Sequence, residues 1–210
     1  MIPAGVAAPR APEPLHADAT SALLAFEPDD AGQRTLRDEY LAHLAAHPDA
    51  CSRAGPPGHL TASCLILDPS ASRTLLTLHR KGGFWVQCGG HLEAGDPSVA
   101  AGALREGREE TGVAALTLWR RTPVDLDRHA LSAAFGRCRV HWDVGFLAVL
   151  DPEGVDGIPV VSAESDDVAW WPVDDLPPGT VADLPRRLAR ARRALLADGG
   201  AGVHRTRLTG

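Results

Sequence analysis

The stretch GGHLEAGDPSVAAGALREGREETGV, residues 89–113, decides how this chain is read. It runs from a glycine-rich loop into a helix start, then to a Glu-Glu pair closed by Thr-Gly. Asp96-Pro97 reads as that start, with Asp capping free N–H groups and Pro at the first helical position. The spacing predicts a helix over 97–111, ended by Gly112 in the left-handed conformation that suits glycine. On a helical wheel, Ala100, Ala103, Leu104, Gly107 and Thr111 share the core side. Glu106, Glu109 and Glu110 fall together on an adjacent side, with Gly102 near them and Arg105 beside Glu106. Like charges that close repel, so a purely structural helix gains nothing from the grouping. Converging carboxylates make a hard, oxygen-rich site of the kind Mg²⁺ or Mn²⁺ takes, often bridging to phosphate. The loop CGGHLEAGD can bring backbone N–H and C=O groups to the same place.

These residues resemble the Nudix box, G-x5-E-x7-R-E-U-x-E-E-x-G-U, where U is aliphatic. Gly90, Arg105-Glu106, Glu109-Glu110, Gly112 and Val113 match it. Three positions depart. Asp96 stands where the box has its first glutamate, eight residues rather than seven separate it from Arg105, and Gly107 replaces an aliphatic residue. Gly107 costs about 1 kcal/mol of helix propensity. The resemblance extends over roughly 58–197. It implies an α/β (α+β) fold, a Nudix-type α/β/α sandwich with a mixed β-sheet, here with an extra N-terminal helix.

By the same resemblance, Glu106, Glu109, Glu110 and the Gly90 carbonyl would ligate Mg²⁺ or Mn²⁺. Glu106 or Glu109 would help activate water, and Arg105 would orient a glutamate. The implied activity is metal-dependent cleavage of a nucleoside diphosphate linked to another moiety. An isopentenyl-diphosphate-isomerase-like enzyme is the alternative, since FWVQCGGH is similar to that group's active site, with Cys88 as the proton-transfer residue. A non-catalytic Nudix ligand sensor is a third reading, although such domains often lose box carboxylates. The expected partner is a small-molecule nucleoside diphosphate derivative. Neither nucleic acid nor membrane is expected, and the family admits a homodimer.

Outside the box the candidates are weaker. His91, inside the loop, could touch phosphate, and Asp96 could contribute there. Glu164, in SAESDDVAWW, lies where some family members place an extra base, with Asp166 and Asp167 as competitors or all three as a solvated acidic loop. His59, His79, His129 and His141 fall in strand-like segments. In RVHWDVGFLAVL, His141 and Asp143 share the face opposite Trp142, Val144 and Phe146. A second metal or a substrate contact is one reading for such histidines, and ordinary hydrogen bonding is the other. The five tryptophans read mostly as core.

The remaining chain sets the frame. With 210 residues, 44% hydrophobic and 23% charged, it reads as one domain with extra segments. A formal charge of −6 speaks against a protein that coats nucleic acid. Four cysteines without a C-x-x-C pair point to reduced thiols rather than a disulfide framework or zinc knuckle. No signal sequence or 18-residue apolar run is apparent, so a soluble, cytoplasmic protein is expected. The expected divisions are a flexible arm over 1–19, a helical extension over 20–57, the catalytic domain over 58–197 and a tail over 198–210. Leu36, Tyr40, Leu41 and Leu44 give a helix near 31–47, capped by Asp29 or Asp30. Strands are expected at 59–68, 74–80, 84–88 and near 114–121, 138–150 and 168–172. A last helix, near 183–197, would bury Leu188, Ala191 and Leu195 and turn its arginines to solvent.

Overall fold

A computed structural model describes residues 14–131, 136–151, 157–163 and 165–199. Two helices lead, α1 (Pro14–Ala25) and α2 (Ala31–Ala46). Strands β1 (Gly58–Leu67), β2 (Arg73–His79), β3 (Phe84–Val86) and β4 (Cys88–His91) follow, then α3 (Val99–Thr111). After it come β5 (Leu116–Leu118), β6 (Asp125–Ala130), β7 (Val140–Leu150), β8 (Ser165–Pro172) and α4 (Leu184–Gly199).

Among the described residues, eight strands join one mixed sheet, with a central path β3-β2-β1-β7-β5. β1 runs parallel to β7 over its whole length and pairs antiparallel with β2 and β4 along its other edge. β6 and β5 share the far edge of β7, and β8 pairs with β2. Strand residues alternate between faces. Leu60, Ala62, Val144 and Phe146 meet α1, α2 and α3 on one face. Leu65, Leu67 and Leu147 meet Leu184, Leu188 and Ala191 of α4 on the other. The sheet is thus covered by helices on both faces, as expected.

Asp30 caps α2, its side chain accepting from Gln33 N–H at 2.8 Å. Leu44 and Tyr40 are buried on the face read from the sequence. The N-terminal extension holds two helices rather than one. α1 begins inside the segment expected to be an arm, because Ala19 and Leu23, four apart, pack into the core. Small alanines hid that stripe. Residues 1–13 and 200–210 lie outside the described residues.

Two further expectations are corrected. β6 carries no alternating apolar signal, because Asp125 and Asp127 fill its buried positions. Their partners come from α4, whose arginines are not a solvated row. Arg187 is fully buried and Arg190 nearly so. Arg187 donates from Nε to Asp125 at 2.7 Å and from Nη2 to Asp143 at 2.6 Å. Arg190 donates to Asp125 at 2.8 Å and reaches Asp29 and Asp30 at the start of α2. A buried guanidinium is tolerated when its charge is met in this way; the Arg187 Nη1 is buried without a hydrogen-bond partner among the described residues, 3.9 Å from Asp183. The network ties α4 to β6, β7 and the N-terminal extension.

Candidate functional site

The 89–113 stretch forms β4, a turn and α3. The helix cap is Ser98, not Asp96. Ser98 accepts from Ala101 N–H at 3.0 Å, and the helix starts one residue later. This is where the extra residue of the box is absorbed, before the first helical turn. Gly112 ends the helix with φ 68°, as expected.

Asp96 is thereby released for another contact. It accepts from Arg105 Nε at 2.9 Å and Nη2 at 3.0 Å, and from Glu93 N–H at 2.8 Å. Burial pushes its carboxyl upward, but the Arg105 and Glu93 hydrogen bonds outweigh burial and hold it below its usual value. Those same bonds to Asp96, ahead of the charge of Glu106, raise Arg105 above its ordinary range. Arg105 Nη1 then donates to Glu106 and to Glu109, each at 3.0 Å, and Nη2 to the His91 carbonyl at 3.1 Å. One guanidinium thus fixes two glutamates against the loop. Glu110, on the same helix, lies 3.4 Å from Thr77 Oγ1 of β2.

Two glycines make this approach possible. A Cβ on Gly90 would stand 2.8 Å from the Glu106 carboxylate carbon and both its oxygens. A Cβ on Gly107 would stand 2.8 Å from Cys64 Sγ and 3.0 Å from its Cβ. Gly107 therefore lets α3 settle directly on β1, which explains the missing aliphatic residue of the box. The Glu106 carboxylate occupies the space beside the Gly90 backbone, and Glu109 is held to it through Arg105. This oxygen-rich set fits a hard divalent cation bound through carboxylates and a carbonyl. Cys88, in β4, is sealed from solvent. Burial, and then the charge of Glu110, pushes its thiol well above its usual value.

The weaker candidates separate. His91 directly follows Gly90, so its side chain projects to the opposite face. Its register partner is Thr61. His141 and Asp143 also lie on that face, opposite His59 and Thr61 of β1. Asp143 is buried, accepting from Thr61 at 3.0 Å and from Ser63 and Arg187. Glu164 lies outside the described residues. Asp166 pairs with Arg80 at 2.7 Å at the surface. His79 stacks on Phe84, and His129 pairs with Asp127 at 2.9 Å. Sequence reading missed the partnership of Asp96 with Arg105, for which the matching box positions were the available signal.

A family model described as NUDIX domain matches residues 57–195. Solved structures share the fold at low identity. A Nudix-family hydrolase from Clostridium perfringens is 21% identical, covering 66% of this chain and 97% of its own, with a TM-score of 0.50. A C. elegans Ap4A hydrolase is 19% identical over 66% of this chain and 98% of its own, also at 0.50. The E. coli dihydroneopterin triphosphate pyrophosphohydrolase is 16% identical over 66% and 95%, again at 0.50. No curated protein matches. Among the described residues, no helix is long and apolar enough to cross a membrane.

Proposed function

The chain belongs to the Nudix family and is a hydrolase of diphosphate bonds, and from that premise we propose a Mg²⁺- or Mn²⁺-dependent pyrophosphohydrolase acting on a nucleoside diphosphate linked to a second moiety. The observation that carries this reading is the Glu106 carboxylate lodged 2.8 Å from where a Gly90 Cβ would stand, with Arg105 joining Glu106, Glu109 and Asp96. Glu106, Glu109, Glu110 and the Gly90 carbonyl would hold the cation. When bound, the cation supplies Lewis-acid polarisation of phosphate and a more acidic water. Arg105 positions Glu106 and Glu109 by charge-assisted hydrogen bonds. One of these two carboxylates accepts the proton of the attacking water. Much of the rate would come from preorganised charge around the transferring phosphoryl group. The buried Cys88 thiol favours this reading over an isomerase, whose proton-transfer residue must reach its substrate.

The test is hydrolysis of a panel of nucleoside triphosphates, dinucleotides, nucleotide sugars and coenzyme A with Mg²⁺ or Mn²⁺. Glu109→Gln should lower turnover by roughly 10²–10³-fold, the scale of losing one electrostatic stabiliser. Turnover that survives both chelation and Glu109→Gln would overturn the proposal.

A further inference from the structure

We propose that His59, His91, Cys138 and His141 form a closed, tetrahedral site for a structural Zn²⁺ ion, apart from the glutamate cluster. Each of the four offers a ligand atom, and these atoms all lie within 4.8 Å of one another. A tetrahedral zinc with ordinary Zn–N and Zn–S bonds has ligand-to-ligand edges of about 3.4–3.6 Å. Cys138 Sγ is already 3.9 Å from His91 Nε2. Closure around the ion therefore needs shifts of about 1 Å or less.

The surroundings prepare the histidines for this. His59 is buried, and its Nδ1 lies 3.1 Å from the Pro56 carbonyl. That contact places the ring proton on Nδ1 and leaves the Nε2 lone pair for a ligand. His59 Nε2 and His141 Nε2 are buried without a hydrogen-bond partner among the described residues. Such atoms cost stability unless something satisfies them. The three rings pack together at tilted to T-shaped angles, with centroids 5.0–5.4 Å apart.

One thiol and three imidazoles are softer donors than the glutamates and suit zinc rather than magnesium. Four protein ligands leave no open position, which is the mark of a structural rather than a catalytic zinc. The ligands come from β1, β4, β7 and the segment leading into β7. That segment is also held by Arg139 N–H on the Pro57 carbonyl at 2.8 Å. Gly90 and His91 are consecutive, so the zinc would anchor β4 from one face while Glu106 meets it on the other. The site stands whether or not the glutamates hydrolyse diphosphates.

The experiment is metal analysis and cobalt substitution of the full chain. After removal of loosely held Mg²⁺ or Mn²⁺, about one equivalent of zinc per chain should remain. Co²⁺ in its place should give the intense visible bands of a tetrahedral ion and a near-ultraviolet thiolate-to-cobalt band. Cys138→Ser should abolish the thiolate band and weaken zinc binding by more than the roughly 10–100-fold typical of losing an outer-shell partner. Glu106→Gln with Glu109→Gln should leave the zinc equivalent and both bands in place. His91→Asn, read by zinc affinity, serves if Cys138→Ser does not fold. Folded wild-type protein with neither retained zinc nor a tetrahedral cobalt spectrum would overturn the site. So would a thiolate band that survives Cys138→Ser, or zinc lost with the glutamates.

Discussion

Replacing Asp96 by Asn should cost about 2 kcal/mol at neutral pH, because hydrogen bonds to a charged group contribute about 1.5–3 kcal/mol against 0.5–1.5 for neutral ones. Asp96 accepts two bonds from Arg105, at 2.9 and 3.0 Å, and one from Glu93 N–H at 2.8 Å. Asn keeps one acceptor and turns a donor toward another donor. The Arg105 side chain is 21% exposed, so water offsets part of the loss and the lower half of the range applies. For a chain of this size, about 2 kcal/mol is a fall in Tm of roughly 4–8 °C. The pH dependence identifies the cause. The folded carboxyl titrates below its unfolded value of about 3.9. Its contribution is therefore complete well above pH 4 and is lost as pH falls through the folded value. Urea melts of the two proteins should stay parallel from pH 5 to 8 and converge below about pH 4. Turnover should also fall, by roughly 10–100-fold, since Arg105 would no longer be fixed while it holds Glu106 and Glu109. Equal stability at pH 7, or a gap undiminished in acid, would refute the assignment of Asp96 as the anchor of Arg105.

Gly90→Ala should leave the fold nearly intact, because the atoms nearest its Cβ belong to the movable end of Glu106. It should still abolish most turnover and weaken Mn²⁺ binding, as followed by electron paramagnetic resonance. Arg187→Ala removes the shared cation between two buried carboxylates, leaving Asp125 with Arg190 and Asp143 with hydroxyl donors alone, and should cost about 3–5 kcal/mol in a urea melt. Arg193→Ala breaks an exposed pair with Asp29 and should cost under about 1 kcal/mol. Gly107→Ala gains about 1 kcal/mol of helix propensity but overpacks Cys64 by about 1–3 kcal/mol. Its net cost should shrink in a Cys64→Ala background, read by a double-mutant cycle.

The parts legible in the sequence were those whose signal is local. β1, β2 and β7 follow from apolar runs and alternation, and α2 from one stripe with a capping Asp30. The convergence of glutamates on α3 needed only the helical period. What escaped depends on residues far apart in sequence. β6 offers aspartates where a strand should offer apolar side chains, and they make sense only with arginines about sixty residues later on α4. The same residues made α4 look like a solvated face. Gly107 looked like a defect until Cys64 was placed against it.

The histidines follow the same logic. Cysteine spacing excludes a zinc knuckle, because a knuckle takes its ligands as close pairs on one turn. In a sheet, ligands can come singly from neighbouring strands, and register replaces spacing as the signal. His59 stands opposite His141 because β1 and β7 run parallel, and His91 stands opposite Thr61, two residues along the same face of β1. Alternation places His141 and Asp143 on one face but leaves their partners open. Register then gives them opposite fates. Asp143 meets Thr61, Ser63 and Arg187, which use its charge to hold the sheet to α4. His141 meets the imidazoles of His59, His91 and His129 and lies near the Cys138 thiol, and its buried Nε2 has no hydrogen-bond partner among the described residues. A cation is the group that satisfies all four at once.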